Sequence, residues 1–363
     1  MKILYDHQMF SYQKYGGITK YFVELIKNIS ADHECHLSIL FSENQYLKEN
    51  RDLFNTVDLL PDINFKGKAT LHKWICRVNQ AYSSRRIASN NFDLLHPTFY
   101  HDYFHPKLKR PYIITVHDLI EFKFKHLFTG NNSNRDHIEK AVMNANRLIA
   151  ISNNTKQDLL EIFDLDPDKI DVIHHGYNNS PSPVSENKFG DYLLFVGDRR
   201  GYKNFTLFIK AIAPLLKREG DLKVVCVGAP FSREEQSLFH QLKISKQLLA
   251  KRVDENTLNN LYAHAKAFVY PSLYEGFGLP VLEAFSNGCP ACLSDSSCFP
   301  EIAADAAQYF DPTERNSILD SVEKVVYDVE WAAQLKIAGK KQLTHYSWEK
   351  TAEETLAAYQ KTV

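Results

Sequence analysis

One stretch of this chain concentrates residues that could do chemistry on a phosphorylated ligand: Tyr274-Glu275-Gly276-Phe277-Gly278-Leu279-Pro280-Val281-Leu282-Glu283-Ala284. Pro280 suits the first position of a helix, where no backbone N–H is needed, and Gly276 and Gly278 let the preceding loop come close to a ligand. The amides of Phe277, Gly278 and Leu279 then stand at a helix N-terminus, a natural anion site suited to a diphosphate. Glu275 precedes that site and Glu283 lies one turn into the helix. Two carboxylates flanking one phosphate-binding turn suit a ligand with hydroxyl groups on both sides of its phosphates, which describes a nucleotide-sugar.

The elements that must position this stretch are legible as short apolar runs. Strands are expected at Lys2–Tyr5, His36–Phe41, Leu94–His96, Tyr112–Val116, Arg147–Ile151, Ile170–His174, Tyr192–Val196, Leu222–Val227, Ala267–Tyr270 and Ala291–Ser294. Helix-period stretches such as Ile18–Ile29, Asn204–Lys217 and Glu255–Ala265 lie between them. The alternation reads as βαβ units, hence an α/β class of parallel sheets covered on both faces. A connector rich in Pro, Ser and Asn interrupts it near residue 182, and 363 residues exceed one ordinary core. The expectation is two Rossmann-like, doubly wound domains facing a cleft, at 1–180 and 192–345, with a linker at 181–191 and a closing helix at 346–363. Ligands of open parallel sheets sit beyond the carboxyl ends of the strands.

The signature resembles that of the retaining family-four glycosyltransferases of GT-B fold: Glu, seven residues, Glu, in the context E-G-F-G-L-P-x-L-E-A. The resemblance extends to Gly197-Asp198-Arg199-Arg200-Gly201-Tyr202-Lys203-Asn204, to Val253-Asp254-Glu255, to Ala265–Ser272, to Pro300-Glu301-Ile302 and to Ser347-Trp348. In the N-terminal half it rests on Gly16-Gly17-Ile18, Val116-His117-Asp118, Ser152–Thr155 and His175–Asn178. It implies that Glu283 holds ribose hydroxyls, that Glu275 contacts the donor sugar and that Lys203 neutralises the diphosphate. The family's arginine usually follows the glycine directly, but Asp198 stands there, so Arg199 and Arg200 are both candidates for that contact. Fixed cations would stabilise the departing diphosphate most in the transition state and remove the need for a metal. His117, at the end of a strand, is the implied contact to the reacting sugar. Gly17 would bring backbone to a phosphate or acceptor, and Val253 belongs to the base-reading loop.

The implied activity is retaining transfer of a hexose, with a lean to mannose or a related deoxyhexose, from a nucleotide-diphospho-sugar to a glycan or polyprenyl-diphosphate-linked acceptor in bacterial surface-polysaccharide synthesis. A nucleotide-sugar epimerase on the same fold and a binding module without turnover are the alternatives. No GxGxxG follows an expected strand, which disfavours a dinucleotide dehydrogenase.

Composition bounds the partners. With 43 Lys+Arg against 44 Asp+Glu the chain is no polycation, so nonspecific nucleic-acid binding has no support. No run of 18 apolar residues suggests a membrane span, the start lacks a signal-peptide pattern, and six scattered cysteines fit a reducing compartment, so a cytoplasmic protein is expected. Cys289-Pro290-Ala291-Cys292 lacks further zinc ligands. His96, His101 and His105 are separated by prolines, and no metal or other cofactor is expected. Residues 63–92 hold no acid but include Lys66, Lys68, Lys73, Arg77, Arg85 and Arg86. With Leu71, Trp74, Ile75, Val78 and Tyr82 they read as a basic amphipathic helix, for residues 66–86 to rest on an anionic membrane surface or to pack on its own sheet.

Overall fold

The computed structural model describes residues 1–58, 67–128, 134–178 and 185–363. Every strand ladder is parallel, so each strand must be reached by a crossover from the last. The chain divides into two compact units: Met1–Gly176 together with Ser347–Val363, and Tyr177–Tyr346.

In the N-terminal unit the strands are β1 (Lys2–Tyr5), β2 (Glu34–Leu37), β3 (Leu94–His96), β4 (Ile113–Val116), β5 (Arg147–Ala150) and β6 (Ile170–Val172). They form two three-stranded sheets, β2-β1-β3 and β4-β5-β6, linked by a parallel bridge between Leu95 and Tyr112. The chain order reverses at the β1/β3 boundary, so the loops after these strands diverge there. Helix Gly17–Ile29 buries Tyr21, Phe22, Leu25, Ile26 and Ile29, a helical spacing that forms one wall of the core. Helix Trp348–Thr362 packs on it and contributes Trp348, Ala352 and Tyr359 to the same core. Its entry requires Gly176, where a Cβ would lie 2.4 Å from the Trp348 nitrogen.

Polar groups stitch this core together. Tyr359 OH meets His96 Nδ1 at 2.6 Å and Tyr5 OH at 3.0 Å, while His96 Nε2 meets Thr115 Oγ1 at 2.9 Å. Asp6 is wholly buried and accepts hydrogen bonds from Thr98 N, Thr98 Oγ1, Gln8 Nε2 and Tyr103 OH at 2.6–3.1 Å.

In the C-terminal unit, β7 (Tyr192–Val196), β8 (Lys223–Val227), β9 (Leu248–Lys251), β10 (Ala267–Tyr270), β11 (Ala291–Ser294) and β12 (Ala307–Phe310) form one sheet in the order β12-β11-β10-β7-β8-β9. The reversal falls between β7 and β10. The two edge strands, β9 and β12, are the ones the sequence did not announce. Each is four residues long with only part of its side chains buried, so neither makes a continuous apolar run.

The basic segment is a helix, Lys68–Ala88, and Lys66 lies outside the described residues. The face it docks is not the expected apolar stripe. Ile75, Asn79, Ser83 and Ile87 are buried; Asn79 bonds Phe41 N and O and Ser11 Oγ, and Ser83 bonds Ser38 and Tyr103. Trp74 is 53% exposed, and Leu71, Val78 and Tyr82 are only partly covered. Hydrogen bonds to strand-end backbone outweigh the apolar stripe in choosing the docked face. Among the described residues, no helix is long and apolar enough to cross a membrane.

Burial pushes His96 and His117 down to about 3, His96 further through the neighbouring His117, and burial also holds His175 well below the ordinary histidine range. The unfolded chain takes up protons near pH 6.5, while the folded chain keeps these rings neutral. Stability should therefore fall with acid below about pH 6.5, by about 1.4 kcal/mol per pH unit for each such ring. Urea midpoints at pH 7.5, 6.0 and 5.0 test this, and His96→Gln should flatten the slope.

Candidate active site

The chemistry-bearing loops of the C-terminal unit both leave the sheet at its reversal point. The loop after β7 carries Lys203 on a short 3-10 turn, Gly201–Lys203, before helix Phe205–Glu219. The loop after β10 carries Glu275 and runs into helix Leu279–Ser286. Lys203 Nζ donates to Glu275 Oε1 at 2.6 Å and to Tyr270 OH at 3.2 Å. The ammonium also lies 5.3 Å from the ring centres of both Tyr202 and Tyr270, within range of cation–π attraction. Glu275 is buried, and burial, then the Glu275 charge, hold the Tyr270 phenol well above its ordinary range.

The surrounding backbone leaves this pair little freedom. Leu273 N donates to Tyr202 O at 2.8 Å, tying one loop to the other. Ser297, beyond β11, accepts from Glu275 N at 3.1 Å and donates to Glu275 O at 2.7 Å, clamping both backbone groups of that residue. Asn204 bonds Pro312 O at 2.6 Å. Gly278 caps the following helix at φ +90°, a conformation side chains resist, and Pro280 takes the second helical position. Gly276 and Phe277 are buried, Phe277 against Tyr346, while Leu279 is half-buried. Glu283 accepts from Tyr262 OH at 3.0 Å. The sequence reading assigns no role to Tyr270, Tyr262 or Ser297. Tyr270 ends the strand that feeds the motif and was findable on that ground, but Ser297 stands 22 residues from Glu275 with no local signal.

The two arginines separate clearly. The Arg199 side chain is 6% exposed; its guanidinium grips Glu235 at 2.7 Å and 3.2 Å, bonds Pro230 O and covers the Phe231 ring at 4.9 Å. To meet a diphosphate Arg199 would have to exchange Glu235 for it. Arg200 is 89% exposed and paired only with Asp198 among the described residues. Both arginines line a cavity of about 770 Å³ with Gly197, Thr206 and Gly228. A second cavity of about 580 Å³ also reaches Gly228 and runs along Phe231, Phe239 and Lys251 to Arg252, next to the half-buried Val253.

In the N-terminal unit, Gly17 is exposed at the start of its helix. His117 follows β4, its ring edge-on to Tyr21 at 5.3 Å and to His175 at 5.6 Å. Its backbone N–H donates to Tyr100 OH at 3.1 Å, and its buried Nε2 has no partner among the described residues. A ring held neutral offers a hydrogen bond, not a positive charge. The three histidines weighed as a metal cluster go separate ways: His96 into the core network, His105 to Tyr112 OH, and His101 onto His137.

Comparison with known proteins decides the family. Residues 15–180 match the Glycosyltransferase Family 4 model and residues 179–342 match the model of Glycosyl transferases group 1. The chain belongs to these glycosyltransferases. The glycosyltransferase is 28% identical to the O-antigen chain mannosyltransferase RfbU of Salmonella typhimurium over 60% of its own length and 62% of that protein's. It is 24% identical to the O-antigen chain mannosyltransferase B of Escherichia coli, with 99% of each chain covered. Its fold is that of Anabaena HepE, solved with UDP and glucose, at a TM-score of 0.75 and 14% identity over 100% of both chains. The enzyme's architecture is thus GT-B.

Breaking the part-buried ion pair in Arg199→Ala should lower the denaturation midpoint, because Glu235 loses its cation and Phe231 its cover. Arg200→Ala should leave the denaturation midpoint unchanged and weaken nucleotide-diphosphate binding. Equal behaviour of the two variants in paired denaturation and titration would contradict this division.

Proposed function

We propose that this glycosyltransferase moves a hexose, with mannose favoured, from a nucleotide-diphospho-sugar to a hydroxyl of a glycan or polyprenyl-diphosphate-linked acceptor in surface-polysaccharide synthesis, with retention of anomeric configuration. The observation that carries the reading is the Lys203–Glu275 pair at the β7/β10 reversal, followed by the Gly278-capped helix. The relatives' O-antigen mannosyltransferase activities support the choice of sugar and product.

On this reading, Lys203 and Arg200 neutralise the diphosphate as the glycosidic bond breaks, when fixed cations are worth most. Glu275 accepts from hydroxyls of the transferred sugar and Glu283 from those of the ribose. The base is read along the cavity that ends at Arg252 and Val253. His117, neutral and with a free Nε2, exchanges a hydrogen bond with a substrate hydroxyl. Attack occurs on the face from which the diphosphate leaves, and the departing phosphate takes the acceptor's proton. Because the chain's own cations meet the charge, no metal is required.

The exposed Trp74, flanked by Lys73, Arg77, Arg85 and Arg86, supports peripheral attachment of helix Lys68–Ala88 to an anionic membrane, where lipid-linked acceptors reside.

Glu275→Gln and Lys203→Ala should each lower turnover by about 10²–10⁴-fold with the fold intact, and excess EDTA should leave the unmodified enzyme's rate unchanged. Product analysis by NMR checks retention, and incubation with donor alone exposes an epimerase. Normal rates in either variant would remove that residue from the mechanism. Trp74→Ala should release the protein from vesicles of anionic lipid in a sedimentation assay; undiminished binding counts against the membrane face.

A further inference from the structure

The reversal point of the N-terminal sheet carries a second built site. Loops after β1 and β3 and helix Arg135–Asn144 enclose a cavity of about 320 Å³ lined by Tyr12, Phe99, Tyr100, His101, Asn134 and His137. The imidazoles of His101 and His137 stack face to face, 4.4 Å between centres and 19° between planes. His101 Nδ1 accepts from Tyr103 N at 3.2 Å, so its Nε2 carries the proton. His137 Nδ1 lies 3.0 Å from Asp102 Oδ1, so in the neutral ring Nδ1 carries the proton and Nε2 is an acceptor. Neither Nε2 has a partner among the described residues. Burial and the neighbouring His137 hold His101 below the ordinary histidine range, which keeps it neutral. His101, Asp102 and His137 bring ligand-type atoms within 4.8 Å of one another, and Lys140 lies 3.5 Å from the same carboxylate.

The wall is fixed from behind. Gln8 accepts from His101 N at 2.9 Å and donates to His101 O and Phe99 O at 3.2 Å, and Gln8 is itself buried and bonded to Asp6. Tyr100 joins the cavity to His117 through the hydroxyl that receives the His117 N–H.

We propose that His101 and His137 form a diol-reading subsite for the acceptor glycan, in which one of two adjacent pyranose hydroxyls accepts from His101 Nε2 while the other donates to His137 Nε2. A donor and an acceptor side by side match vicinal hydroxyls, each of which can play either role. The aromatic rings of Tyr12 and Phe99 suit the apolar face of a sugar, and the fixed loop spares the ordering cost of binding. The assignment rests on the glycosyltransferase reading and names residues that select its acceptor.

Ligand-observed NMR on the full-length protein with methyl α-mannoside, methyl α-glucoside and methyl α-galactoside tests it without requiring turnover. At least one glycoside should bind, and binding should weaken about tenfold in His101→Phe and in His137→Phe, with thermal midpoint and nucleotide affinity as fold controls. Deoxy analogues on the unmodified protein supply the second arm: removing either hydroxyl of one adjacent pair should cost about tenfold, and the variants should no longer distinguish those analogues. Absence of binding by all three glycosides, or unchanged binding in both variants, overturns the subsite. Failure of the transferase reading would show separately, as glycoside binding with no nucleotide-sugar turnover.

Discussion

The ion pair between Lys203 and Glu275 is the constraint on which the C-terminal unit turns. Both groups are largely withdrawn from water, and such a pair typically returns less in attraction than it loses in hydration, so stability alone does not explain it. It persists because the scaffold enforces it: the two loops share a backbone hydrogen bond, Ser297 holds Glu275 by both backbone groups, and two tyrosine rings flank the ammonium. On the proposed reading the pair is a stand-in for substrate. A diphosphate replaces Glu275 as the partner of Lys203, sugar hydroxyls replace Lys203 as the partners of Glu275, and no buried charge is left alone during the exchange. Desolvation is met when the protein folds, which leaves binding energy for the transition state.

The N-terminal unit solves the opposite problem, keeping polar groups uncharged. Its center is a chain of neutral donors and acceptors, Tyr5–Tyr359–His96–Thr115–Tyr21, with Asp6 satisfied by amide and hydroxyl donors rather than by a cation. Satisfied networks of this kind specify one arrangement, because a shifted partner leaves a buried group orphaned. The last helix joins that network through Tyr359, so residues 347–363 belong energetically to the unit that begins the chain.

Much of this was legible in the sequence, for reasons that also explain the gaps. The eight interior strands were readable because interior parallel strands are continuous apolar runs; of the edge strands, β9 and β12 were missed and β2 was expected at His36–Phe41 but lies at Glu34–Leu37, because edge strands are buried on few positions. The motif around Glu275 was readable because glycine and proline mark backbone geometry locally. Which arginine is free was not, since Arg199 is claimed by Glu235, 36 residues away, through a contact no spacing rule contains. The basic helix was readable as a helix, but its docked face was misjudged: Asn79 and Ser83 hydrogen-bond strand-end backbone and hydroxyls, and such partners are invisible to a hydrophobicity pattern.

The two sheets place chemistry at the same topological feature yet fill it with opposite means. At the β7/β10 reversal the groups are fixed charges, Lys203 and Glu275 with Arg200 nearby; at the β1/β3 reversal, and after the neighbouring β4, they are imidazoles, of which burial keeps His101 and His117 neutral. On the proposed reading, that division follows from what each substrate of a glycosyl transfer brings. A nucleotide-diphospho-sugar arrives with charge that grows as its bond breaks, so permanent cations are worth most there. An acceptor hydroxyl arrives uncharged, and what positions it is a directional hydrogen-bond partner rather than a counter-charge. On the proposed reading a neutral imidazole orients a substrate hydroxyl without adding fixed charge, and burial keeps His101 and His117 in that form.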